Sequence, residues 1–327
     1  MNRILVIQTA SIGDVILSTP VIEKLHQAFP DAKIDLLVKN GMEGLFNGHP
    51  FLHELLVWDK KNGKYKNLFA ILKKIRSAHY DWVINLQRFA STGFLTAFSK
   101  GAVTTGFSKN PFSFLFTEKI LHEIRPGVHE VYRNLKLIES RAGNSFTPPR
   151  LYPSVSDQAR TAQYKSGNYY TLSPASLWFT KQYPAEKWIE FMGYIDEKSG
   201  VYLLGSSQDH ELCERLIRES GHKNTTNLAG KLTFLESAAL MRDARMNFTN
   251  DSAPMHLASA TNSPVTVIYC STIPDFGFGP LSDDSAIVEI AGKLDCRPCG
   301  LHGFRSCPKV HFRCATEIDV HGLSARL

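Results

Sequence analysis

The sequence predicts an α/β protein of two doubly wound, parallel-sheet domains, and three observations predict it. Short runs of aliphatic and β-branched residues recur in both halves of the chain, separated by segments with apolar residues at helical spacing. A stretch rich in Ser, Pro and polar residues interrupts the pattern near its middle. At 327 residues and 43% hydrophobic, the chain is long enough for two cores of ordinary size and too apolar for a disordered protein.

The first strand is Ile4 to Ile7, an uninterrupted aliphatic run of the kind that a strand buried on both faces needs. The turn Thr9 to Asp14 (T-A-S-I-G-D) leads from it into a helix, on which Val15, Leu17, Ile22 and Leu25 fall near helical spacing. Strands follow at Ile34 to Val38, Leu55 to Trp58 and Trp82 to Asn85, and Leu68, Phe69, Leu72 and Ile75 mark a helix before the last of them. A helix beginning near His129, with Val131, Leu135 and Ile138 on one face, closes the first half. The linker is Asn144 to Ser156, with Pro148, Pro149 and Pro153, so the domains are expected at 1–152 and 153–327. The second half repeats the scheme with strands at Tyr169 to Leu172, Val201 to Leu204, Met246 to Thr249 and Val265 to Tyr269.

Charge is distributed unevenly. Residues 1–150 hold 20 Lys+Arg against 12 Asp+Glu, whereas the remainder holds 17 against 19. A basic half suits nucleic acid, anionic lipid or a phosphorylated substrate, or is simply a solvated surface. No apolar run approaches the ~20 residues that a bilayer span needs. The start of the chain lacks the long apolar region of a secretory leader, which makes a cytoplasmic protein the expectation. Gly13 stands alone, without the G-x-G-x-x-G of a dinucleotide site, which argues against a nicotinamide oxidoreductase.

Three constellations could carry chemistry. Asp14 sits at a strand-to-helix turn, where backbone N–H groups stabilise a carboxylate and where open parallel sheets take ligands; equally, it is a first-turn helix acid. Lys181, shortly before a helix that starts near Ala185, suits a diphosphate as a point charge, or is a surface lysine. Asp251, Ser252 and Ala253 precede a helix with Pro254 in its first turn, and the free amides of such a helix bind phosphate. The alternative is a Ser N-cap with nothing bound, with His256, one turn in, a packed polar residue. Lys60, Lys61, Lys64 and Lys66 make a basic loop, followed by Lys73, Lys74 and Arg76, and this too can be a solvated face. Cys296, Cys299, Cys307 and Cys314, spaced C-x2-C-x7-C-x6-C, could bind a structural zinc; free thiols and a disulfide stay open, the latter less expected in a cytosolic protein.

The S-x-G-D turn with Ser18-Thr19-Pro20, the segment Lys181-Gln182-Tyr183-Pro184 and the D-S-x-x-x-H segment Asp251 to His256 together resemble glycosyltransferase family 9, the heptosyltransferases of lipopolysaccharide core assembly. Asp81 to Gln87 (D-W-V-I-N-L-Q), His129 to Leu135 (H-E-V-Y-R-N-L) and the Cys-rich segment extend the likeness over almost the whole chain. It implies a GT-B arrangement: an N-terminal acceptor domain and a C-terminal nucleotide-sugar domain, both Rossmann-like, facing across a cleft. The last helix, near Thr316 to Leu323, would cross back onto the first domain. The reaction implied is inverting transfer of heptose or a related sugar from a nucleotide donor, ADP-heptose, to an anionic lipid-linked inner-core acceptor at the inner membrane face. By the same likeness Asp14 is the base, although the helix dipole lowers its basicity unless the acceptor desolvates it. Lys181 neutralises the donor phosphates; Ser11, Gly13, Asp251, Ser252, Ala253 and His256 contact the donor, the backbone amides of Ser252 and Ala253 being as suited to it as their side chains. Asp209 holds the ribose, with Glu211 a competing assignment and a first-turn acid the plain alternative for either. Lys60, Lys61 and Lys64 face the acceptor. No D-x-D segment is present, so no catalytic metal is expected. A nucleotide-sugar epimerase of the same fold and a non-catalytic nucleic-acid-binding protein are the alternatives. Against the second, the basic residues lack interleaved stacking aromatics, so no nucleic-acid partner is expected.

Overall fold

The computed structural model describes residues 1–143 and 145–327; Asn144, the first residue of the expected linker, lies outside them. The chain divides into two compact units, Met1–Tyr152 and Pro153–Leu327.

The first unit contains β1 (Arg3–Ile7), α1 (Ile12–Ile16), α2 (Thr19–Ala28), β2 (Lys33–Lys39), β3 (Leu52–Trp58), α3 (Lys64–Ser77), β4 (Trp82–Asn85), α4 (Ala90–Ala97), β5 (Val103–Phe107), β6 (Glu118–Ile120), α5 (Glu130–Lys136) and α6 (Glu139–Ala142). Its six strands form one sheet in the order β3-β2-β1-β4-β5-β6, parallel throughout. Ile4 to Ile7 are wholly buried, as a sheet covered on both faces requires. Leu5, Ile7, Leu56 and Trp58 pack with Leu68, Leu72 and Ile75 of α3. The chain winds outward from β1 to β3 and returns to lay β4 on the other side of β1. That reversal is a topological switch point, and ligands in such sheets bind outside the strands' carboxyl ends there.

The single helix expected after Asp14 is two. The Ser18 hydroxyl donates to Val15 O at 2.6 Å and the Thr19 hydroxyl to Ile16 O at 2.8 Å. Pro20 has no N–H to continue the first ladder, so it opens α2 instead. Part of the expected linker is not a free connection either. Arg150 N–H donates to the Thr19 hydroxyl and the Tyr152 hydroxyl to Glu23, strapping the segment onto α2, while Ser154 caps a new helix.

The second unit contains α7 (Val155–Thr161), β7 (Tyr169–Ser173), α8 (Ala185–Met192), β8 (Gly200–Leu203), α9 (His210–Ser220), β9 (Thr225–Asn227), α10 (Phe234–Arg242), β10 (Met246–Asn250), α11 (Ala253–Ala260), β11 (Val265–Tyr269), β12 (Ser285–Glu289), α12 (Arg313–Thr316) and α13 (His321–Ser324). Its parallel sheet runs β12-β11-β10-β7-β8-β9, with the switch point between β7 and β10. The C-terminal helices α12 and α13 are built into this unit's own core. Ala315, Ile318, Val320 and Leu323 are buried among Tyr183, Trp188 and Phe191, and the Tyr183 hydroxyl donates to Ile318 O at 3.3 Å.

Candidate active site

In the first unit the loops leaving β1 and β4 are tied together. Gln87 Oε1 accepts both the Thr9 N–H (3.2 Å) and the Thr9 hydroxyl (2.6 Å). Lys60, arriving after β3, donates from Nζ to Thr9 Oγ1 at 2.7 Å and Thr9 O at 3.1 Å, and lies 4.6 Å over the Trp58 ring. Burial, helped by the charges of Lys39 and Lys64, lowers its ammonium to about 8. Lys61, Lys64 and Lys66 are exposed. The expected basic loop therefore splits into one lysine held at the switch point and three in solvent. The Asp81 to Gln87 segment assigns Gln87 no role by itself; its bonds to Thr9 supply one.

Five residues beyond Thr9, Asp14 occupies the third position of α1 in a reciprocal cap with Ser11. Asp14 Oδ2 accepts the Ser11 N–H at 3.1 Å and the Ser11 hydroxyl, and the Asp14 N–H faces Ser11 Oγ at 3.5 Å. The first-turn acid is thus satisfied locally, yet its carboxylate stays half-exposed at the ligand end of the sheet. Gly13 is buried within α1. The His129 to Leu135 segment backs this helix: Asn134 Nδ2 donates to Leu17 O at 3.2 Å, and buried Glu130 pairs with Arg133 at 2.6 Å. Burial pushes the Glu130 carboxyl up, Arg133 opposes it, and the charge of Asp14 adds to the upward push.

In the second unit Lys181 and Asp251 meet at the β7/β10 switch point, Nζ to Oδ2 at 2.7 Å, with side chains only 14% and 9% exposed. The Thr272 hydroxyl donates to the same carboxylate oxygen at 2.6 Å. Asn250, ending β10, accepts the Tyr183 N–H at 2.9 Å and donates to Pro174 O at 2.7 Å, so the loop that carries Lys181 is fixed from both sides. Ser252 is the N-cap residue of α11 by position, but its hydroxyl faces Asn250 O and makes no cap hydrogen bond to the first amides, that of Ala253 among them. His256 is buried in the first turn of α11.

Asp209 closes the loop after β8. Its Oδ2 accepts both the N–H and the hydroxyl of Ser206 at 2.7 Å, a reciprocal cap ahead of α9. Gly205 is required there, since a Cβ would sit 2.9 Å from that of Asp209. Glu211 is exposed in the first turn of α9.

The Cys-rich loop docks on this end of the sheet. Arg297 donates to Tyr269 O, Cys270 O and Thr272 O, and the Thr180 hydroxyl accepts the Phe304 N–H at 2.8 Å. Gly303 (φ +75°) lies where a Cβ would be 2.8 Å from Thr180 Oγ1 and 3.1 Å from Lys181 Cγ. All four thiols are free, Cys314 buried and the others half-buried. Among the described residues, only Asp35, His53 and Glu54 bring three ligand atoms within 4.8 Å of one another, so the four sulfurs do not form a closed tetrahedral shell. His311 does not complete one either. Its Nδ1 accepts the Arg313 N–H at 3.0 Å, and its Nε2 lies 3.7 Å from Cys296 Sγ. What pins this loop is its hydrogen bonding to β11 and Thr180.

The chain is similar to known proteins in sequence and in fold. The profile described as Glycosyltransferase family 9 (heptosyltransferase) matches residues 68–302. Lipopolysaccharide heptosyltransferase 3 of Escherichia coli K12 is 26% identical over 275 residues, covering 80% of each chain. The solved structure of E. coli ADP-heptose lps heptosyltransferase II superposes with a TM-score of 0.80 at 20% identity, covering 100% of this chain and 97% of that one. E. coli heptosyltransferase WaaC with ADP-2-deoxy-2-fluoro heptose gives 0.73 at 21% identity, over 89% and 94%.

Proposed function

The chain belongs to glycosyltransferase family 9 and folds as two Rossmann-like units of the GT-B type, and from that premise we propose that it transfers heptose from ADP-heptose to a lipopolysaccharide inner-core acceptor. The observation that carries the reading is the pairing of Lys181 with Asp251 beside the uncapped start of α11, at the switch point of the second sheet. A cation and a helix N-terminus there suit a nucleoside diphosphate whose charge grows as the glycosidic bond breaks. The acceptor hydroxyl attacks the anomeric carbon with inversion and gives its proton to Asp14. The C–O bond to the diphosphate breaks, and its electron pair leaves with the phosphate, neutralised by Lys181 without a catalytic metal. Lys60 is read as the acceptor's fixed cation, with Lys61 and Lys64 as exposed ones, and Asp209 as the ribose partner. A lipid-linked acceptor makes this a cytoplasmic protein working at the inner membrane face; no described helix is long and apolar enough to cross a membrane.

The test is a thermal shift with ADP-, UDP- and GDP-sugars, followed by product analysis. ADP-heptose is expected to raise Tm through mass action, and a delipidated inner-core acceptor to gain one heptose with release of ADP, undiminished by chelator. Stabilisation by UDP- or GDP-sugars alone would overturn the donor assignment. Epimerisation of the donor without acceptor would overturn transfer.

Lys60 supplies a pH prediction. An ordinary lysine keeps its charge to about 10.4, whereas this one loses half of it near 8. If the ammonium grips an acceptor anion, acceptor kcat/KM declines as pH rises through about 8. Lys60→Arg, which cannot deprotonate there, should carry the plateau well beyond it. Identical profiles for the two proteins would remove Lys60 from acceptor binding.

A further inference from the structure

We propose that the face built by α3, α4 and the loop after β5 docks the first unit onto an anionic bilayer surface. The charge pattern is the first observation. Residues 60–117 carry ten Lys+Arg and a single acid, Asp81. That acid is spent at the opposite end of the sheet, where it accepts the backbone N–H groups of Asn2 (2.5 Å) and Arg3 (3.1 Å).

The second is an apolar surface within the same stretch. Tyr65 is 70% exposed, Phe69 60%, Phe89 62% and Phe114 72%. Around Phe69 the rings are in contact: Phe94 of α4 meets Phe69 of α3 at 5.9 Å between centroids, Phe98 at 4.9 Å and Phe112 of the loop at 6.0 Å. From Ala90 to Ala97, α4 has no charged residue, and Arg88 and Lys100 flank it. Soluble proteins rarely leave a large apolar surface to water unless it binds something. Aromatic rings in a stretch that is rich in lysine and, apart from the pairing of Lys74 with Glu54 of β3 at 2.7 Å, poor in acid suit the interface of an anionic membrane, where rings enter the headgroup layer and lysines meet phosphate. Single-stranded nucleic acid fits less well, because it stacks on open ring faces, and Phe69, Phe94 and Phe112 meet one another edge-on at 86° and 72°.

Position gives the surface its use. The start of α3 follows β3, Phe89 follows β4, and Phe112 and Phe114 follow β5, so the rings leave the carboxyl ends of strands, the end at which Asp14 follows β1. Docking would bring that end of the sheet to the layer that holds a lipid-linked acceptor; the use rests on the function proposed above, the binding does not.

The experiment is co-sedimentation of the full chain with vesicles of phosphatidylglycerol and phosphatidylethanolamine, or of phosphatidylcholine alone. Binding at least tenfold stronger to the anionic vesicles is expected, weakening from 0.15 to 0.5 M salt. Phe69→Ser/Phe89→Ser/Phe114→Ser should lose at least tenfold of that binding. It should keep the wild-type Tm and the wild-type turnover of a delipidated acceptor. Equal partition onto both vesicles, an unchanged triple variant, or binding to an oligonucleotide in place of vesicles would each overturn the proposal. Absence of turnover in the wild type would bear on the reaction and leave the vesicle result standing.

Discussion

Asp14→Asn is expected to lower the turnover number by about two to four orders of magnitude, the range over which a positioned general base contributes, with donor affinity close to wild type. The substitution isolates the chemistry because it spares the architecture. Asn Oδ1 can still accept the N–H and hydroxyl of Ser11, the two bonds that fix Asp14 Oδ2. Helix α1 and its buried Val15 and Ile16 are therefore retained. Loss of the negative charge relieves Glu130 of one push, which leaves the Glu130–Arg133 pair at least as favourable. Glu130 is the other carboxyl coupled to this turn, but it is buried and its Oε2 is taken by Arg133, which makes it a poor substitute base. Steady-state kinetics with saturating donor, together with ADP calorimetry, checks the prediction. Near-normal turnover in a folded variant would return Asp14 to the role of a helix-capping acid.

How much of this was legible in the sequence depends on the range of the interaction. An aliphatic run such as Ile4 to Ile7 has one reading, a strand covered on both faces, and Ile34 to Val38, Val201 to Leu204 and Val265 to Tyr269 follow the same logic. Four strands gave no such signal. Glu118–Ile120 and Thr225–Asn227 span three residues each, Val103–Phe107 holds two threonines and a glycine, and Ser285–Glu289 is an edge strand with alternating exposure. The C-terminal residues Ile318, Val320 and Leu323 are plainly apolar, but apolarity does not say which core receives them, and the answer is their own unit's. The lysine loop shows the limit most sharply. Lys60 and Lys61 are adjacent and identical in type; what separates them is Thr9, 51 positions away from Lys60, which no local pattern reports. The same holds for Gln87 on Thr9 and for Thr272 on Asp251. The turn at Asp14, by contrast, could be read directly: a first-turn helix acid is what the sequence offers there, and Asp14 is the third residue of α1 in the structure.

Lys181→Ala is expected to weaken ADP binding by about 10- to 100-fold, the effect of losing a hydrogen bond to a charged group worth about 1.5–3 kcal/mol. Turnover should fall further, by about two to three orders of magnitude, because the charge that Lys181 meets is greater in the transition state than in the bound donor. The structure adds a second consequence that separates a site lysine from a surface one. Asp251 is 9% exposed and has Lys181 and the Thr272 hydroxyl as partners, so truncation leaves a nearly buried carboxylate without its cation. Breaking such a pair costs about 3–5 kcal/mol where burial is complete, and Tm should drop visibly even without ligand. Lys181→Ala/Asp251→Asn should recover much of that stability while ADP affinity stays low, since the orphaned charge is gone but the phosphate's cation is not restored. Lys181→Arg should keep the pairing charge and part of the affinity, though an ammonium and a guanidinium do not present the same donors. Calorimetry with ADP and thermal melts of the three variants decide the matter. If the single variant melts lower but binds ADP as wild type does, Lys181 is a structural partner of Asp251 and lies outside the donor site.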